Sequence, residues 1–209
     1  LITGTTQGIG YQLYKYYKDK YNIITINRQD IGDNNYVCDL SNMNEVRELI
    51  SQIASINVDI LINNAGGASP VHFLDMTIDE LIAVSTLNYH TPILLMQAVI
   101  NGMVNRGYGK IINISSIGSK SPRPLIAHYG AAKSALEKFS SSIAVAYGGT
   151  GVSVNCICPG GINTKTSIEN RKKMAELLNL EKSHFNLQMA EKNGLGHPVS
   201  YYTSPSPRD

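Results

Sequence analysis

Runs of apolar residues alternate with amphipathic stretches along most of this chain. That alternation is typical of a parallel β-sheet covered by helices on both faces, so the predicted fold class is α/β with a doubly wound sheet. Several runs are continuous in Ile and Val, as expected for strands buried on both sides. The predicted strands are Leu1–Thr3, Asn22–Asn27, Tyr36–Cys38, Val58–Asn63, Lys110–Ser115 and Val152–Ile157. The predicted helices are Gly8–Lys18, Met43–Ser55, Ile78–Asn105, Ala127–Tyr147 and Ile168–Asn179.

Composition fits one domain with a sizeable core, since 43% of the 209 residues are hydrophobic and 16% are charged. We place this domain at residues 1–193, because residues 194–209 are rich in Gly, Pro and Ser and lose the apolar period. A net charge of +2 without a basic run predicts no nucleic-acid or membrane partner. Three cysteines, an odd number, favour buried thiols in the reducing cytoplasm over disulfides or a metal site.

The glycine-rich stretch TGTTQGIG lies between a predicted strand and a predicted helix. Glycines allow a tight turn there, and the helix N-terminus offers N–H donors and a positive dipole end to a pyrophosphate. A plain turn would explain the glycines alone, but the strand–loop–helix context favours a dinucleotide site. Its candidate residues are Gly4, Thr5, Gln7, Gly8, Ile9 and Gly10.

The second strand ends in Asn27 and Arg28. An acidic residue at this end would bind the adenosine ribose and favour NAD, whereas a guanidinium suits a 2′-phosphate. NADP(H) is therefore the preferred cofactor and NAD(H) a possible one. The alternative is that Arg28 is a solvated surface charge.

Tyr129 and Lys133 are four residues apart on a predicted helix and so share one face. An ammonium beside a phenol is expected to lower the tyrosine pKa from about 10 toward neutral pH. A tyrosine of this kind can exchange a proton with an alcohol or carbonyl oxygen.

Taken together, the motifs resemble the classical short-chain dehydrogenase/reductase family, and in particular its 3-oxoacyl-carrier reductases. They are TGTTQGIG, Asp39-Leu40, Asn63-Asn64-Ala65-Gly66, Asn88, Ser115-Ser116, Tyr129-x-x-x-Lys133 and Pro159-Gly160, and they cover residues 1 to about 166. The resemblance implies a Rossmann-type sheet, a nicotinamide cofactor, a small carbonyl or alcohol substrate, and a homodimer or homotetramer.

The resemblance also implies roles for four catalytic residues. Ser116 would bind the substrate oxygen, and Tyr129 would be the general acid in reduction and the base in oxidation. Lys133 would lower the tyrosine pKa and hold the nicotinamide ribose. Asn88 would anchor a water that links Lys133 to solvent. The neighbouring Ser115 points to the other face of the strand and is taken as structural.

Further cofactor contacts follow from the same resemblance. Asp39 and Leu40 would lie by the adenine, and the segment after the fourth strand would pack against the ribose on that side. Around the nicotinamide, the Ile162 backbone and the Thr164 hydroxyl would bind the carboxamide. The remaining residues implied in these segments are Asn64, Ala65, Gly66, Pro159 and Gly160.

The chain also departs from the family pattern. Gln7 stands where NADP-dependent members often carry a basic residue, and the family's C-terminal strand has no counterpart in the sequence. The first residue is Leu1, inside a strand-like run. We therefore expect a fragment that lacks the start of its first strand, with a tail whose final residues are not native.

The function predicted is an NADP(H)-dependent oxidoreductase that moves a hydride between nicotinamide and a carbonyl/alcohol pair. One alternative is an epimerase or dehydratase of the extended branch of the superfamily, which the short C-terminal part disfavours. Another is a dinucleotide-binding regulator that has lost catalysis. The complete set of Ser116, Tyr129, Lys133 and Asn88 argues against that alternative.

Overall fold

The computed structural model describes residues 1–179 and the backbone of residues 201–203. Its strands are β1 (Ile2–Thr3), β2 (Thr25–Asn27), β3 (Asn35–Val37), β4 (Ile60–Asn63), β5 (Gly109–Ile114), β6 (Val152–Pro159) and β7 (Tyr201–Thr203). Its α-helices are α1 (Gly8–Tyr17), α2 (Met43–Ile53), α3 (Ile78–Ser85), α4 (Thr91–Asn105), α5 (Ala127–Ala146) and α6 (Lys165–Leu177). The domain boundary predicted at residue 193 lies outside the described residues.

The strands form one sheet in the order β3-β2-β1-β4-β5-β6-β7. β1 to β6 run parallel, which confirms the predicted doubly wound α/β fold, and β7 is antiparallel to β6. The strand order reverses between β1 and β4, because the chain runs outward from β1 to β3 and then returns to β4. A crevice at such a reversal is where open α/β sheets bind their ligands.

The core is built where the central strands meet the helices. Ile26, Leu61 and Ile111 lie on three of these strands and are fully buried, as are Val46 and Ile53 of α2. Each full burial of such a side chain stabilises the fold by roughly 1.5–3 kcal/mol. The continuous apolar runs in the sequence therefore correspond to strands covered on both sides.

A polar pair lies inside this apolar layer. Asn63 and Asn113 face each other in the register of β4 and β5, and the Asn63 Nδ2 donates to Asn113 Oδ1 at 2.8 Å. Asn113 Nδ2 donates in turn to Ser140 Oγ of α5 at 2.8 Å. Since Asn113 also contacts Met96 of α4, α4 and α5 lie side by side over this face of the sheet.

One helix differs from its prediction. The sequence pattern predicts a single helix from Ile78 to Asn105, but a π-helical segment, Thr86–His90, separates α3 from α4. Pro92 explains the break, because it has no N–H to donate to the carbonyl of Asn88, four residues earlier. Across residues 1–179, we find no helix with the length and apolar character needed to cross a membrane.

Candidate active site

The predicted site residues gather at the carboxyl ends of β1, β4, β5 and β6, beside the reversal in strand order. The glycine-rich loop follows β1, residues 64–66 follow β4, Ser116 follows β5, and Gly160 follows β6. α5 brings Tyr129 and Lys133 to the same end of the sheet, as its bond from Lys133 Nζ to the β5 carbonyl of Ile114 shows. Neighbouring parallel strands thus bring together residues that are far apart in the sequence.

The glycine-rich loop packs closely against the loop after β4. A methyl group on Gly10 would lie 2.1 Å from the Gly4 carbonyl oxygen and 2.4 Å from Asn64 Nδ2, so only glycine fits. Asn64 Nδ2 donates to the carbonyls of Thr3 and Gly4, both at 2.9 Å. The result is a cradle of backbone at the start of α1, which suits a dinucleotide pyrophosphate.

Asn27, the last residue of β2, is hydrogen-bonded to the glycine-rich loop. It is 3% exposed, its Oδ1 accepts a hydrogen bond from the Thr5 backbone N–H at 2.7 Å, and its Nδ2 donates to Asn35 Oδ1 at 2.8 Å. The Asn27 amide is therefore engaged by protein groups on both sides. The neighbouring Arg28 is exposed.

Asp39 and Leu40 lie next to this end of the sheet. Asp39 Oδ1 accepts hydrogen bonds from the Ser41 N–H at 2.9 Å and the Ser41 hydroxyl at 2.7 Å. Burial acts to raise the pKa of Asp39, but the Ser41 bonds and the Arg28 charge hold it below its usual value. The Leu40 carbonyl accepts a bond from the Thr91 hydroxyl at 2.9 Å, which fixes the segment to α4.

The segment Asn64–Gly66 is held by Thr3, a residue that the sequence analysis did not single out for the site. Thr3 Oγ1 accepts hydrogen bonds from the N–H groups of Asn64 at 3.0 Å and Ala65 at 2.9 Å. A methyl group on Gly66 would lie 2.7 Å from Asn88 Oδ1 and 2.9 Å from Lys133 Nζ. Gly66 therefore allows the loop after β4 to approach Asn88 and Lys133 closely.

Lys133 is the most enclosed charged group of the site, at 2% exposed. Its Nζ donates to the Ile114 carbonyl at 2.7 Å and lies 5.8 Å from the centre of the Tyr129 ring. Burial lowers the pKa of Lys133 to about 8. The ammonium is therefore still the main form at neutral pH.

Tyr129 and Ser116 are hydrogen-bonded to each other. Ser116 Oγ also accepts a bond from the Gly118 N–H at 3.1 Å, which orients the serine hydroxyl. The pKa of Tyr129 is raised, because its burial outweighs the effect of the Ser116 hydrogen bond. The net shift is opposite to the one expected from the sequence, and the separate effect of Lys133 on this pKa stays a prediction.

Asn88 lies in the π-helical segment, fully buried. Its Oδ1 accepts a bond from the Gly67 N–H at 3.0 Å, and its Nδ2 donates to the carbonyls of Gly67 and Val84, both at 2.8 Å. These contacts tie the loop after β4 to the helix, beside Lys133. The water that the sequence analysis assigned to Asn88 stays a prediction.

The segment after β6 reaches back across the cradle. Thr164 is the N-cap of α6 and accepts a bond from the Ser167 N–H at 3.2 Å. Gln7 Nε2 donates to the Thr166 hydroxyl at 2.9 Å, and the Thr164 N–H donates to the Ile162 carbonyl at 2.9 Å. Gln7 thus joins the glycine-rich loop to the start of α6, a contact that the sequence analysis missed.

Glu137 is a further residue that the sequence pattern did not single out for the site. It lies four residues after Lys133 on α5, is 8% exposed, and accepts a hydrogen bond from Ser115. The spacing from Lys133 was the available signal, since a residue one turn further along a helix shares its face. Ser115 is itself buried, which agrees with its structural assignment.

Comparison with known proteins agrees with this geometry. Residues 1–175 match the family model described as short chain dehydrogenase. The chain belongs to the short-chain dehydrogenase family.

Among relatives, a dehydrogenase/reductase SDR family protein 7-like from Drosophila melanogaster is 33% identical over 132 residues, 62% of this chain and 40% of that protein. A 3-oxoacyl-[acyl-carrier-protein] reductase FabG from Rickettsia typhi is 30% identical over 190 residues, covering 85% of this chain and 78% of the reductase. The chain thus spans less than half of the first relative and about three quarters of the second.

The fold is shared with solved members of the short-chain dehydrogenase family. A 4-hydroxyisoleucine dehydrogenase complexed with NADH superposes with a TM-score of 0.72 at 28% identity. The superposition covers 82% of this chain and 79% of that enzyme.

Proposed function

We propose that this chain is an NADP(H)-dependent oxidoreductase that interconverts a carbonyl and an alcohol, with Tyr129 as the general acid and base. The observation that carries the proposal is the grouping of Ser116, Tyr129 and Lys133 beside the glycine cradle. The FabG relative is named a reductase and the solved neighbour a dehydrogenase with NADH, which supports the reaction class.

The cofactor would be held along the ends of β1, β2, β4 and β6. The pyrophosphate would lie on the cradle of Gly4 to Gly10, and Arg28 would meet the 2′-phosphate. Residues 64–66 would lie beside the ribose on the adenine side of the cofactor, and residues 159–164 would lie beside the nicotinamide. When bound, the nicotinamide supplies or accepts the hydride.

The protein's own part is the movement of one proton. A substrate oxygen that accepts bonds from both Ser116 and Tyr129 would be polarised, and Tyr129 would pass its proton to that oxygen during reduction. The raised pKa of Tyr129 keeps the phenol protonated at neutral pH, which suits the acid role. The buried Lys133 ammonium would stabilise the phenolate left behind.

Tyr129→Phe tests this assignment, because it keeps the ring and removes the hydroxyl proposed to transfer the proton. We expect turnover to fall by at least about 100-fold, the usual span of general acid–base catalysis. NADPH oxidation would be followed across ketones, sugars and 3-oxoacyl thioesters, with cofactor affinity measured by fluorescence.

The matched control is Tyr108→Phe, which changes an exposed tyrosine just before β5. It should leave both turnover and affinity unchanged. Turnover of Tyr129→Phe within a few-fold of the parent would rule out the acid–base role. Tight NADPH binding without turnover on any substrate class would favour a regulator.

A further inference from the structure

A carboxylate lies beneath the turn that carries Ser116. Glu137 is 8% exposed and belongs to α5, one helical turn beyond Lys133. Burying a carboxylate costs free energy unless hydrogen bonds and an opposite charge offset the loss of water. The contacts of Glu137 show where that compensation comes from.

Both oxygens of Glu137 have partners. Oε1 accepts hydrogen bonds from the hydroxyls of Ser115 and Ser119 and from Cys158 Sγ at 3.1 Å, and Oε2 forms an ion pair with Lys120. Burial acts to raise the pKa of Glu137, but Lys120 and these hydrogen bonds hold it below its usual value. The group is therefore a carboxylate at neutral pH.

These partners surround Ser116 in the chain. Ser115 precedes it at the end of β5, and Ser119 and Lys120 follow it in the turn. The Ser119 hydroxyl also lies 2.7 Å from the Ser116 carbonyl, so its single proton is shared between that carbonyl and the Glu137 carboxylate. One carboxylate therefore fixes both sides of the turn to α5, the helix that carries Tyr129.

We propose that Glu137 is a positioning residue for the reaction: its carboxylate holds the turn 115–120 so that the Ser116 and Tyr129 hydroxyls meet one substrate oxygen. This inference rests on the proposed function, since it assigns a role at the same site. Glu137 itself contacts Ser115 and Ser119 of the turn, and it acts on the reaction through Ser116.

Glu137 also favours the protonated form of Lys133. The ionisable groups that act on the Lys133 ammonium are Glu137 on α5 and Cys156 and Cys158 on β6, and the Tyr129 ring centre lies 5.8 Å from its Nζ. Burial lowers the pKa of Lys133 to about 8, while Cys156, Glu137 and Cys158 act to raise it. Removing the Glu137 charge lowers this pKa further, so the ammonium is lost at a lower pH.

Glu137→Gln is the decisive variant, because it keeps the shape and removes the charge. We expect kcat to fall by at least about 10-fold, since small misplacements of a reacting group are costly. The KM for NADPH should not change. The alkaline limb of the kcat profile should move to lower pH, and a crystal structure of the variant should show the Ser116–Tyr129 hydrogen bond broken.

Two further variants keep the test interpretable. Glu48→Gln changes an exposed glutamate on α2 and should leave kcat, pH profile and melting temperature unchanged. If Glu137→Gln does not fold, Ser119→Ala removes one contact of the carboxylate and leaves the charge in place. It should lower kcat a few-fold without moving the alkaline limb.

The outcomes separate the two proposals. A Glu137→Gln variant with parental kcat per active site and an unmoved pH profile would overturn the positioning role, even if it melted earlier. An intact Ser116–Tyr129 bond in its crystal structure would overturn it as well, whatever the activity. Absence of activity in the parent chain on every substrate class would instead count against the proposed function.

Discussion

Asn27 and Arg28 are neighbours in the chain but have opposite surroundings. Asn27 is buried, and its amide is bound to Thr5 and Asn35 beneath the glycine-rich loop. Arg28 is exposed at the end of β2, and its charge lowers the pKa of Asp39. The two residues therefore have separate tasks in the proposed site. Asn27 fixes the shape of the loop, and Arg28 supplies the positive charge at its rim.

Arg28→Ala should discriminate between the two cofactors. A charge-assisted contact to phosphate contributes roughly 1.5–3 kcal/mol, so the Kd of NADPH should rise by about 10-fold or more. The Kd of NADH should change less than about 3-fold, since it lacks the phosphate that carries this contact. Cofactor fluorescence titration measures both values.

Arg47→Ala is the control for that titration, because Arg47 is also exposed but lies on α2. It should leave both Kd values unchanged. Equal losses for the two cofactors in Arg28→Ala would mean that Arg28 is only a surface charge.

Strands and helices were largely predictable because burial on both faces leaves runs rich in Ile, Leu and Val, such as residues 60–62 in β4 and residues 111–114 in β5. β6 was predicted to end at Ile157 but continues to Pro159, where it pairs with β7. A local pattern cannot reveal a partner strand that lies more than 40 residues away in the sequence. The π-helical break at Thr86–His90 was missed for a different reason, since the apolar period continues through it.

The site residues show the same difference between local patterns, which the sequence reveals, and long-range contacts, which it does not. Gly4, Tyr129 and Lys133 were found from their local spacing, whereas the contacts of Glu137 join residues from 115 to 158. Gln7 and Thr166 are still further apart in the chain. Contacts of this range depend on the strand order and helix packing, which the sequence pattern does not specify.

The hydrogen bond between Asn63 and Asn113 helps to hold β4 and β5 in register. Asn113→Ala removes one partner of Asn63, whose Nδ2 keeps the Pro92 carbonyl at 3.3 Å, and one partner of Ser140 inside the core. Each buried donor or acceptor position that loses its hydrogen bond costs about 1–3 kcal/mol. We therefore expect the free energy of unfolding to fall by about 2–5 kcal/mol in urea titration. Asn101→Ala, at an exposed position of α4, should cost nothing, and a loss below about 1 kcal/mol in Asn113→Ala would contradict this account.

Strands from both halves of the sheet contribute to one crevice. The strand order reverses between β1 and β4, so the carboxyl ends of strands on either side of this point lie next to each other. The bonds from Gln7 to Thr166 and from Asn170 Nδ2 to the Ala68 carbonyl, both 2.9 Å, connect α6 to the loops after β1 and β4. A ligand in the crevice would therefore contact segments from most of the described chain. Its binding should stabilise the fold as a unit.

Ligand addition is the corresponding experiment. A ligand at 100 times its Kd that binds only the native state adds about 2.7 kcal/mol, which raises the Tm of a chain of this size by about 5–10 °C. We expect NADPH to do this for the parent chain. Gly10→Ala should abolish the shift, because its methyl group would lie 2.1 Å from the Gly4 carbonyl oxygen and distort the cradle. Gly102→Ala is the matched control, since its methyl group would approach only the Arg106 side chain, at 3.1 Å. Calorimetry with and without NADPH measures the shift, and an equal shift in Gly10→Ala and the parent would place the cofactor elsewhere.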